Sequence, residues 1–298
     1  MERIELNEQV SFSRIIQGMW RLISWGLPKD RLRQFLEERI ERGVTTFDTA
    51  EIYDRTECEK QMGRVLADAP ELRSRMEIVT KTGIFEEKDS RGNTFTYYDT
   101  TYDRIIRSCE GSLRRLNTDY IDVYLIHRED PCIDFEQVAR ALDTLQQRGL
   151  IKAYGVSNFD PFKFDAINKA ADGKLVTNQI EWSPLCFEHF ESGMIDYLTV
   201  RKIRPMIWSP LAGGELFNPK SKRAVRAMSV IESLAKKYGC GPETVIYAWL
   251  MYHPVGAMPI VGSRKIERLE LAMEALNLRL EHADWYKIYL ADGENILR

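Results

Sequence analysis

The chain lacks the features that mark several classes of protein. Its 298 residues include five cysteines, an odd number without a Cys-x-x-Cys pair, which is typical of a reduced chain rather than a disulfide framework. Lysine and arginine number 42 against 45 acidic residues, so no basic surface for nucleic acid or an anionic membrane is indicated. No apolar run approaches the roughly 18 residues of a membrane span, and MERIELNEQV lacks the apolar core of a signal peptide. We therefore expect a cytoplasmic protein with a small or neutral partner.

Two further absences concern metals and cofactors. The chain has only four histidines, and His127 alone among them ends a predicted strand, which argues against a metal-dependent hydrolase. No G-x-G-x-x-G follows the first predicted strand, although a dinucleotide-binding open sheet usually needs that turn. We expect no metal site, and the open doubly wound sheet is the less favoured fold.

Eight short β-rich segments alternate along the chain with segments of helical apolar spacing. The candidate strands are RIIQGMW, TTFDTA, MEIVTKT, DVYLIH, KAYGVSN, LVTNQIE, PMIWSP and AMPIVGS. Eight strand and helix pairs predict an α/β fold, a (β/α)8 TIM barrel, preceded by a short N-terminal hairpin formed by RIELN and QVSFSR. No linker composition interrupts the chain, so we predict a single domain over residues 1–298.

Residues that favour helix ends punctuate the helical segments. Glycine is favoured just after a helix because it adopts the left-handed conformation at low cost, which predicts helix ends at Gly43, Gly149 and Gly239. Aspartate and proline favour helix starts. We therefore predict helices that begin near Asp99, Asp134 and Pro242.

Polar side chains stand at the C-terminal ends of the predicted strands, where barrels of this class hold their active sites. Asp48, Lys81 and His127 end three consecutive strands, and Tyr53 follows the first of them. A Lys81 ammonium beside Tyr53 would lower the pKa of the phenol, and Asp48 would hold that ammonium in place. His127 would donate a hydrogen bond to an oxygen that gains negative charge. Such a site moves a proton to or from a carbonyl or alcohol oxygen and needs a cofactor as its hydride source.

Other strand ends suit a nicotinamide. Asn158 and Gln179 each carry a donor and an acceptor that match a carboxamide. Trp208 offers a flat face for ring stacking, although a core aromatic is the equally common role of such a residue. These residues predict a nicotinamide cofactor at the strand ends.

The segment after the last strand, GSRKIERLE, suits a phosphate. Ser263 and Arg264 are predicted to open a helix that carries Arg268 one turn further along. Helix N-terminal amides and guanidinium groups bind phosphate monoesters, which favours NADP(H) over NAD(H). A solvated basic first turn is the alternative, although basic residues at that position oppose the helix dipole.

Seven ordered motifs resemble the aldo-keto reductase family, in particular its prokaryotic-type members. They are FDTAEIYD, VTKT, DVYLIHRED, GVSNF, NQIEWSPL, WSPLAGG and PIVGSRKIERL, and the match that they indicate covers essentially the whole chain. The resemblance implies NADPH-dependent reduction of aldehydes or ketones. The tetrad it implies is Asp48, Tyr53, Lys81 and His127. The cofactor-binding residues it implies are Ser157, Asn158, Gln179, Trp208, Ser209, Leu211, Gly262, Ser263, Arg264 and Arg268.

The chain departs from the family pattern at a few positions. Leu271 and Ala272 stand where many members have Glu-Asn, so an expected adenine contact is missing. Ala212 stands where a glycine often follows Pro-Leu, which alters the cover over the pyrophosphate. The chain ends with WYKIYLADGENILR, which resembles the more open prokaryotic-type enzymes.

Two functions remain compatible with these motifs. The first is a carbonyl reductase with a small-molecule substrate. The alternative is an NADPH-binding regulatory subunit, because relatives of potassium-channel β subunits keep this barrel and site while they act mainly on a partner. A monomer is compatible with the sequence, and neither nucleic acid nor membrane is expected as a partner.

The walls of a substrate pocket are predicted from tryptophans and from one long segment. Trp20, Trp25 and Trp182 could line an aromatic pocket, although tryptophan is more often half-buried packing. The segment 83–99 follows the third strand and therefore lies on the active face. We expect either a lid or an ordered surface loop there.

Overall fold

Eight parallel strands form a closed barrel in the computed structural model, which describes residues 1–295. The strands are Ile16–Gly18, Thr46–Asp48, Glu77–Thr82, Ile121–Ile126, Ile151–Ser157, Leu175–Glu181, Met206–Trp208 and Met258–Val261. Neighbours in the barrel are neighbours along the chain. Each of the eight segments predicted to be a strand overlaps one, so the (β/α)8 barrel is confirmed.

Helices follow the barrel strands. The α-helices are Lys29–Glu41, Glu57–Asp68, Tyr102–Leu116, Phe135–Gln147, Pro161–Ala170, Glu188–Glu191, Met194–Arg201, Lys222–Tyr238, Pro242–Tyr252, Ile266–Glu274 and His282–Tyr289. Short 3₁₀ segments are Ile23–Trp25, Pro70–Arg75 and Ala212–Phe217. Within residues 1–295, no helix combines the length and apolarity that a membrane crossing requires.

The predicted glycine helix ends are confirmed. Gly43, Gly149 and Gly239 follow helices with φ of 81°, 72° and 67°. These are left-handed conformations, which a residue with a Cβ adopts at greater cost.

The predicted helix starts are confirmed at two positions and wrong at the third. Asp134 caps its helix and accepts a hydrogen bond from the Gln137 amide at 3.1 Å, and Pro242 is the first residue of its helix. The helix predicted to begin near Asp99 starts instead at Tyr102. Asp99 accepts hydrogen bonds from the amide and hydroxyl of Thr101, so its carboxylate stabilises the turn before the helix.

Two antiparallel hairpins lie outside the barrel. The predicted N-terminal hairpin is formed by Arg3–Glu5 and Ser11–Ser13, with Ile4 opposite Phe12. Residues 83–99 contain a second hairpin, in which Ile84–Lys88 pairs with Thr94–Tyr98. The long segment after the third barrel strand is therefore ordered β structure.

The chain divides into two compact units, one formed by residues 1–178 and the other beginning at Gln179. Within the first unit, parallel pairing sets Asp48 opposite Val79 and Lys81 opposite Leu125. Within the second unit, Met206 pairs with both Gln179 and Met258. The single domain stays a prediction.

The second unit contains a buried carboxylate with several hydrogen-bond donors. Asp284, in the first turn of its helix, accepts hydrogen bonds from Lys237 Nζ and Tyr238 Oη, both at 2.6 Å, and from Lys287 Nζ at 2.7 Å. Burial alone would raise the pKa of Asp284, but hydrogen bonds from these three side chains hold that pKa well below its usual range. The carboxylate therefore stabilises the folded state only while it is ionised.

We predict that Asp284→Asn lowers the free energy of unfolding at neutral pH by about 1.5 to 3 kcal/mol, the range for hydrogen bonds to a charged group. A depressed folded-state pKa gives a contribution that is fully present above about pH 4 and is lost as the pH falls. Urea unfolding of the variant and the wild type should therefore converge toward acid pH. Glu281→Gln is the matched control, because exposed Glu281 pairs with the same Lys237 at 2.8 Å and should matter much less. A gap that is independent of pH would contradict the prediction.

Candidate active site

The four residues predicted as a tetrad come together within the first unit. Asp48 is the last residue of the second barrel strand, and Lys81 lies on the third strand. His127 directly follows the fourth strand, and half-buried Tyr53 lies in the loop after the second. Because parallel strands bring their C-terminal ends to one edge, these four side chains share one small region of the barrel rim.

The ammonium of Lys81 is the centre of this group. Its Nζ lies 2.7 Å from Asp48 Oδ1, 2.7 Å from the Thr49 carbonyl oxygen and 3.2 Å from Tyr53 Oη. An ammonium has three donors, and these contacts use all of them. Burial acts to lower the pKa of Lys81, but Asp48 and Tyr53 together raise it above its ordinary value. The side chain is therefore charged at neutral pH.

Tyr53 differs from the expectation in the sign of its pKa shift. Burial is the largest influence and raises the pKa of Tyr53, the Lys81 ammonium lowers it, and Asp48 raises it again. The net pKa lies above the ordinary value, so the expected lowering is not found. Lys81 acts in the predicted direction, but desolvation of the phenolate outweighs it. Tyr53 is consequently protonated at neutral pH.

His127 faces the tyrosine edge to face. The two ring centroids are 5.8 Å apart with an interplanar angle of 75°. Burial, followed by the charges of Lys81 and Arg128, lowers the pKa of His127 well below its usual range, so the imidazole is neutral. Its Nδ1 is buried and meets no hydrogen-bond partner in the part of the chain that the structure describes. A neutral imidazole still carries one N–H donor.

Ser157 and Asn158 lie beside His127. Ser157 is buried at the end of the fifth strand, and Asn158 follows it with a left-handed φ of 62°. The side-chain amide of Asn158 donates to the His127 carbonyl oxygen at 3.2 Å and to Ser157 Oγ at 2.8 Å. The backbone of His127 and the two predicted carboxamide ligands are thus joined by hydrogen bonds.

In the second unit, predicted nicotinamide contacts lie at the ends of its first two strands. Gln179 is buried, and its amide donates to Met206 Sδ at 3.7 Å. Trp208 ends the next strand and is half-buried. Ser209 has a left-handed φ of 49°, and Leu211 precedes the 3₁₀ segment.

The predicted phosphate-binding residues lie around the last strand, with one boundary corrected. Gly262 is exposed, and a Cβ at that position would meet no atom within 4 Å. The final helix of the motif begins at Ile266, so the prediction that Ser263 and Arg264 open it is wrong. Ser263 Oγ instead accepts a hydrogen bond from the Lys265 amide at 3.2 Å, which forms a turn before the helix.

The two arginines of this motif are both exposed. Arg264 lies in the turn before the helix, and Arg268 lies in the first turn of the helix.

The predicted pocket tryptophans lie in different environments. Trp20 is 59% exposed, and its ring centroid lies 6.4 Å from that of Tyr53. Trp182 is only 1% exposed and packs edge to face on Trp249 at 5.4 Å and on Phe190 at 5.0 Å. Its burial favours a packing role over a pocket wall. Trp25 is also buried.

Sequence reasoning did not identify three charged residues near the tetrad. Arg115 forms ion pairs with both Glu51 and Glu59 close to the third barrel strand. A signal was available, because Thr80 and Thr82 flank Lys81 at positions where a barrel strand usually presents apolar side chains to its helices.

With this cluster at the strand ends, the barrel has the organisation of a (β/α)8-barrel enzyme. The sequence profile of the Aldo/keto reductase family matches residues 14–291. The chain is 42% identical over 293 residues to the oxidoreductase YcsN of Bacillus subtilis (strain 168), with 98% of each chain covered. It is 39% identical over 302 residues to a 6-dehydroglucose reductase of Agrobacterium fabrum, covering 99% of this chain and 100% of that one.

Among solved structures, the glycerol dehydrogenase of Gluconobacter oxydans matches with a TM-score of 0.85 at 23% identity, over 99% of this chain and 97% of that chain. That likeness shows the fold. The extent of the family match and the identity to the relatives show more: the chain belongs to the aldo/keto reductase family, whose members are oxidoreductases.

We predict that Lys81→Met raises the pKa of Tyr53 further, because the ammonium that opposes the effect of burial is removed. Phenolate absorbance can be followed against pH in the wild type and in Lys81→Met. Subtracting the absorbance of the same protein with Tyr53→Phe isolates the titration of Tyr53 from that of the other tyrosines. Lys152→Met is the matched control. Lys152 also pairs with an aspartate, Asp122, at a distance of 2.8 Å, but this pair is not part of the tetrad. An equal Tyr53 pKa in wild type and Lys81→Met would show that the ammonium does not act on the phenol.

Proposed function

We propose that this protein is an NADPH-dependent reductase that converts aldehydes or ketones into alcohols, with Tyr53 as the proton donor. The observation that carries the proposal is the Tyr53 phenol, which is protonated and lies 3.2 Å from a buried ammonium. Membership of an oxidoreductase family supports the type of reaction. The specific donor, cofactor and substrate are the proposed part.

Each residue of the tetrad has a distinct task in this reaction. When bound, the nicotinamide supplies the hydride. Tyr53 gives its proton to the carbonyl oxygen, and the adjacent Lys81 ammonium stabilises the phenolate that is left behind. The neutral His127 ring donates a hydrogen bond to the same carbonyl oxygen as negative charge develops there. Asp48 holds Lys81 in position and keeps it charged.

The proposed cofactor contacts fit NADPH by the chemistry of their donors. In residues 1–178 they are Ser157 and Asn158. The Ser157 hydroxyl and the Asn158 side-chain amide suit the carboxamide of the nicotinamide. From Gln179 onward they are Gln179, Trp208, Ser209, Leu211, Gly262, Ser263, Arg264 and Arg268. The aromatic ring of half-buried Trp208 suits stacking, and the side chains of exposed Arg264 and Arg268 suit a 2′-phosphate.

The substrate we propose is an oxidised sugar. Relatives from Agrobacterium fabrum and Novosphingobium aromaticivorans, at 39% and 35% identity, are 6-dehydroglucose reductases. The exposed Trp20 ring beside Tyr53 supports this proposal, because a flat aromatic face can pack against the apolar face of a sugar ring. Trp20 would then hold the sugar while Tyr53 reaches its carbonyl oxygen.

We expect the wild type to oxidise NADPH with a panel of carbonyl compounds that includes a 6-aldehydo sugar. Tyr53→Phe should lower kcat by about 100-fold or more, the usual range for loss of a positioned acid, while the Kd for NADPH changes less than about twofold. Absorbance of NADPH measures turnover, and fluorescence titration measures binding. Wild-type turnover by Tyr53→Phe would remove Tyr53 as the donor. Tight NADPH binding by a wild type that turns over no carbonyl would favour the regulatory-subunit alternative.

Cofactor choice gives a separate prediction. Arg264→Ala and Arg268→Ala should each raise the Kd for NADPH by roughly 10- to 100-fold and hardly change that for NADH, because a charge-assisted hydrogen bond contributes about 1.5 to 3 kcal/mol. Fluorescence titration with both cofactors measures this. Arg279→Ala is the matched control. Arg279 is an exposed arginine that donates a hydrogen bond to the Leu276 carbonyl oxygen. Equal losses for NADH and NADPH would assign these arginines to the pyrophosphate or to the fold.

A further inference from the structure

The third barrel strand carries chemistry on both of its faces. Lys81 contacts Asp48 and Tyr53, as described above. Its neighbours turn the other way, because successive residues of a strand face opposite sides. Thr80 Oγ1 donates to Glu59 Oε1 at 2.6 Å, and Thr82 Oγ1 donates to Glu51 Oε2 at 3.0 Å. The strand that holds the catalytic ammonium therefore also binds two carboxylates.

One arginine joins these two carboxylates. Arg115 Nε lies 2.6 Å from Glu59 Oε2, and its terminal nitrogen lies 3.3 Å from Glu51 Oε1. Glu59 is fully buried, and Arg115 and Glu51 are half-buried, with 18% and 14% of their side chains exposed. Buried carboxylates are stable only when their charge is paired and hydrogen-bonded. Arg115 and the two threonines meet that requirement together.

A glycine allows the backbone of Arg115 to lie close to the helix Glu57–Asp68. Gly63 lies on Glu57–Asp68, and a Cβ built there would come within 1.9 Å of the Arg115 carbonyl oxygen. Since real Cβ contacts are never that short, only glycine permits this spacing between the helix and Tyr102–Leu116. The spacing brings the guanidinium within reach of both carboxylates.

Glu51 connects the network to the candidate proton donor. It lies two residues before Tyr53, and its backbone N–H donates to the Lys81 carbonyl oxygen at 3.0 Å. Its side chain binds the next residue of the same strand, Thr82. Both the backbone and the side chain of Glu51 therefore attach the Tyr53 loop to the strand that carries Lys81.

The three residues that follow Tyr53 are in neither a helix nor a strand. Asp54, Arg55 and Thr56 have φ of 45°, 53° and 74°, which are left-handed conformations that cost energy for residues other than glycine. Such a segment persists only where its surroundings hold it. The attachment at Glu51 lies immediately before this strained turn.

We propose that Glu51 is a positioning residue that holds the Tyr53 phenol at hydrogen-bonding distance from Lys81, and that Arg115 and Thr82 orient its carboxylate. This inference rests on the proposed role of Tyr53 as proton donor. Glu51 itself contacts no reacting atom.

The test compares Glu51→Ala with Glu51→Gln. Glu51→Ala removes the contacts to Thr82 and Arg115, and should lower kcat for carbonyl reduction by about 10- to 100-fold, since small displacements of a catalytic group have effects of that size. The Kd for NADPH should change less than about twofold. Glu51→Gln keeps an amide oxygen that can accept from Thr82, and should recover most of the activity. A wild-type kcat in Glu51→Ala would overturn the inference.

Arg73→Met is the matched control for a purely structural effect. Arg73 pairs at 2.7 Å with buried Asp122, which accepts from the Ile78 amide at the opposite end of the same strand. We expect Arg73→Met to lower the melting temperature, as we also expect of Glu51→Ala. Unlike Glu51→Ala, it should leave kcat within about twofold of wild type. If Arg73→Met lowered kcat as much as Glu51→Ala, the effect would be general destabilisation and the inference would fail.

A second readout does not depend on turnover. In Glu51→Ala the phenol should leave its place beside the ammonium, so the pKa of Tyr53 should shift, upward where the effect of Lys81 is lost and downward where burial is lost. The pKa is measured as phenolate absorbance minus that of Glu51→Ala/Tyr53→Phe. An unchanged Tyr53 pKa would overturn the inference even if kcat fell. If the wild type reduced no carbonyl compound, the proposed function would fail, and this titration alone would then decide whether Glu51 positions Tyr53.

Discussion

The Lys81 ammonium is fully buried, and a buried charge must be paired and fully hydrogen-bonded to be tolerated. Asp48 supplies the countercharge, and the Thr49 carbonyl and Tyr53 hydroxyl take the remaining two donors. The second strand and the loop after it are therefore arranged around one nitrogen atom of the third strand. Tyr53 reaches its place as part of this compensation, so the stability of the buried charge and the geometry of the proposed donor have the same origin.

Opposing electrostatic effects give the cluster its chemical character. Burial raises the pKa of Tyr53 and lowers that of His127, so the phenol keeps its proton and the imidazole is neutral with one N–H donor. The adjacent ammonium lowers the cost of the phenolate only once the proton has left. A strongly depressed phenol pKa would weaken a reductase at neutral pH, because less of the acid would be present. The balance found here leaves the proposed acid in its protonated form.

Much of the fold and of the candidate site could be predicted because the signals are local. Strand and helix periodicity identified all eight barrel strands, and the parallel topology then implied that Asp48, Lys81 and His127 lie near one another. Predictions at element boundaries were less successful. Asp99 and Ser263 both stabilise turns just before helices, and a capping side chain looks the same in sequence whether it begins the helix or precedes it.

The sequence by itself determined the barrel, the family and the identity of the four clustered side chains, because each follows from short-range patterns or ordered motifs. Only the tertiary structure decided what depends on burial and on distant neighbours. The direction of the Tyr53 pKa shift depends on whether desolvation of the phenolate outweighs the effect of the nearby ammonium, which the sequence does not show. The packing of Trp182 required its aromatic neighbours. The pairing of Glu51 with Arg115 joins residues 64 positions apart, which come into contact only when two helices close around Gly63.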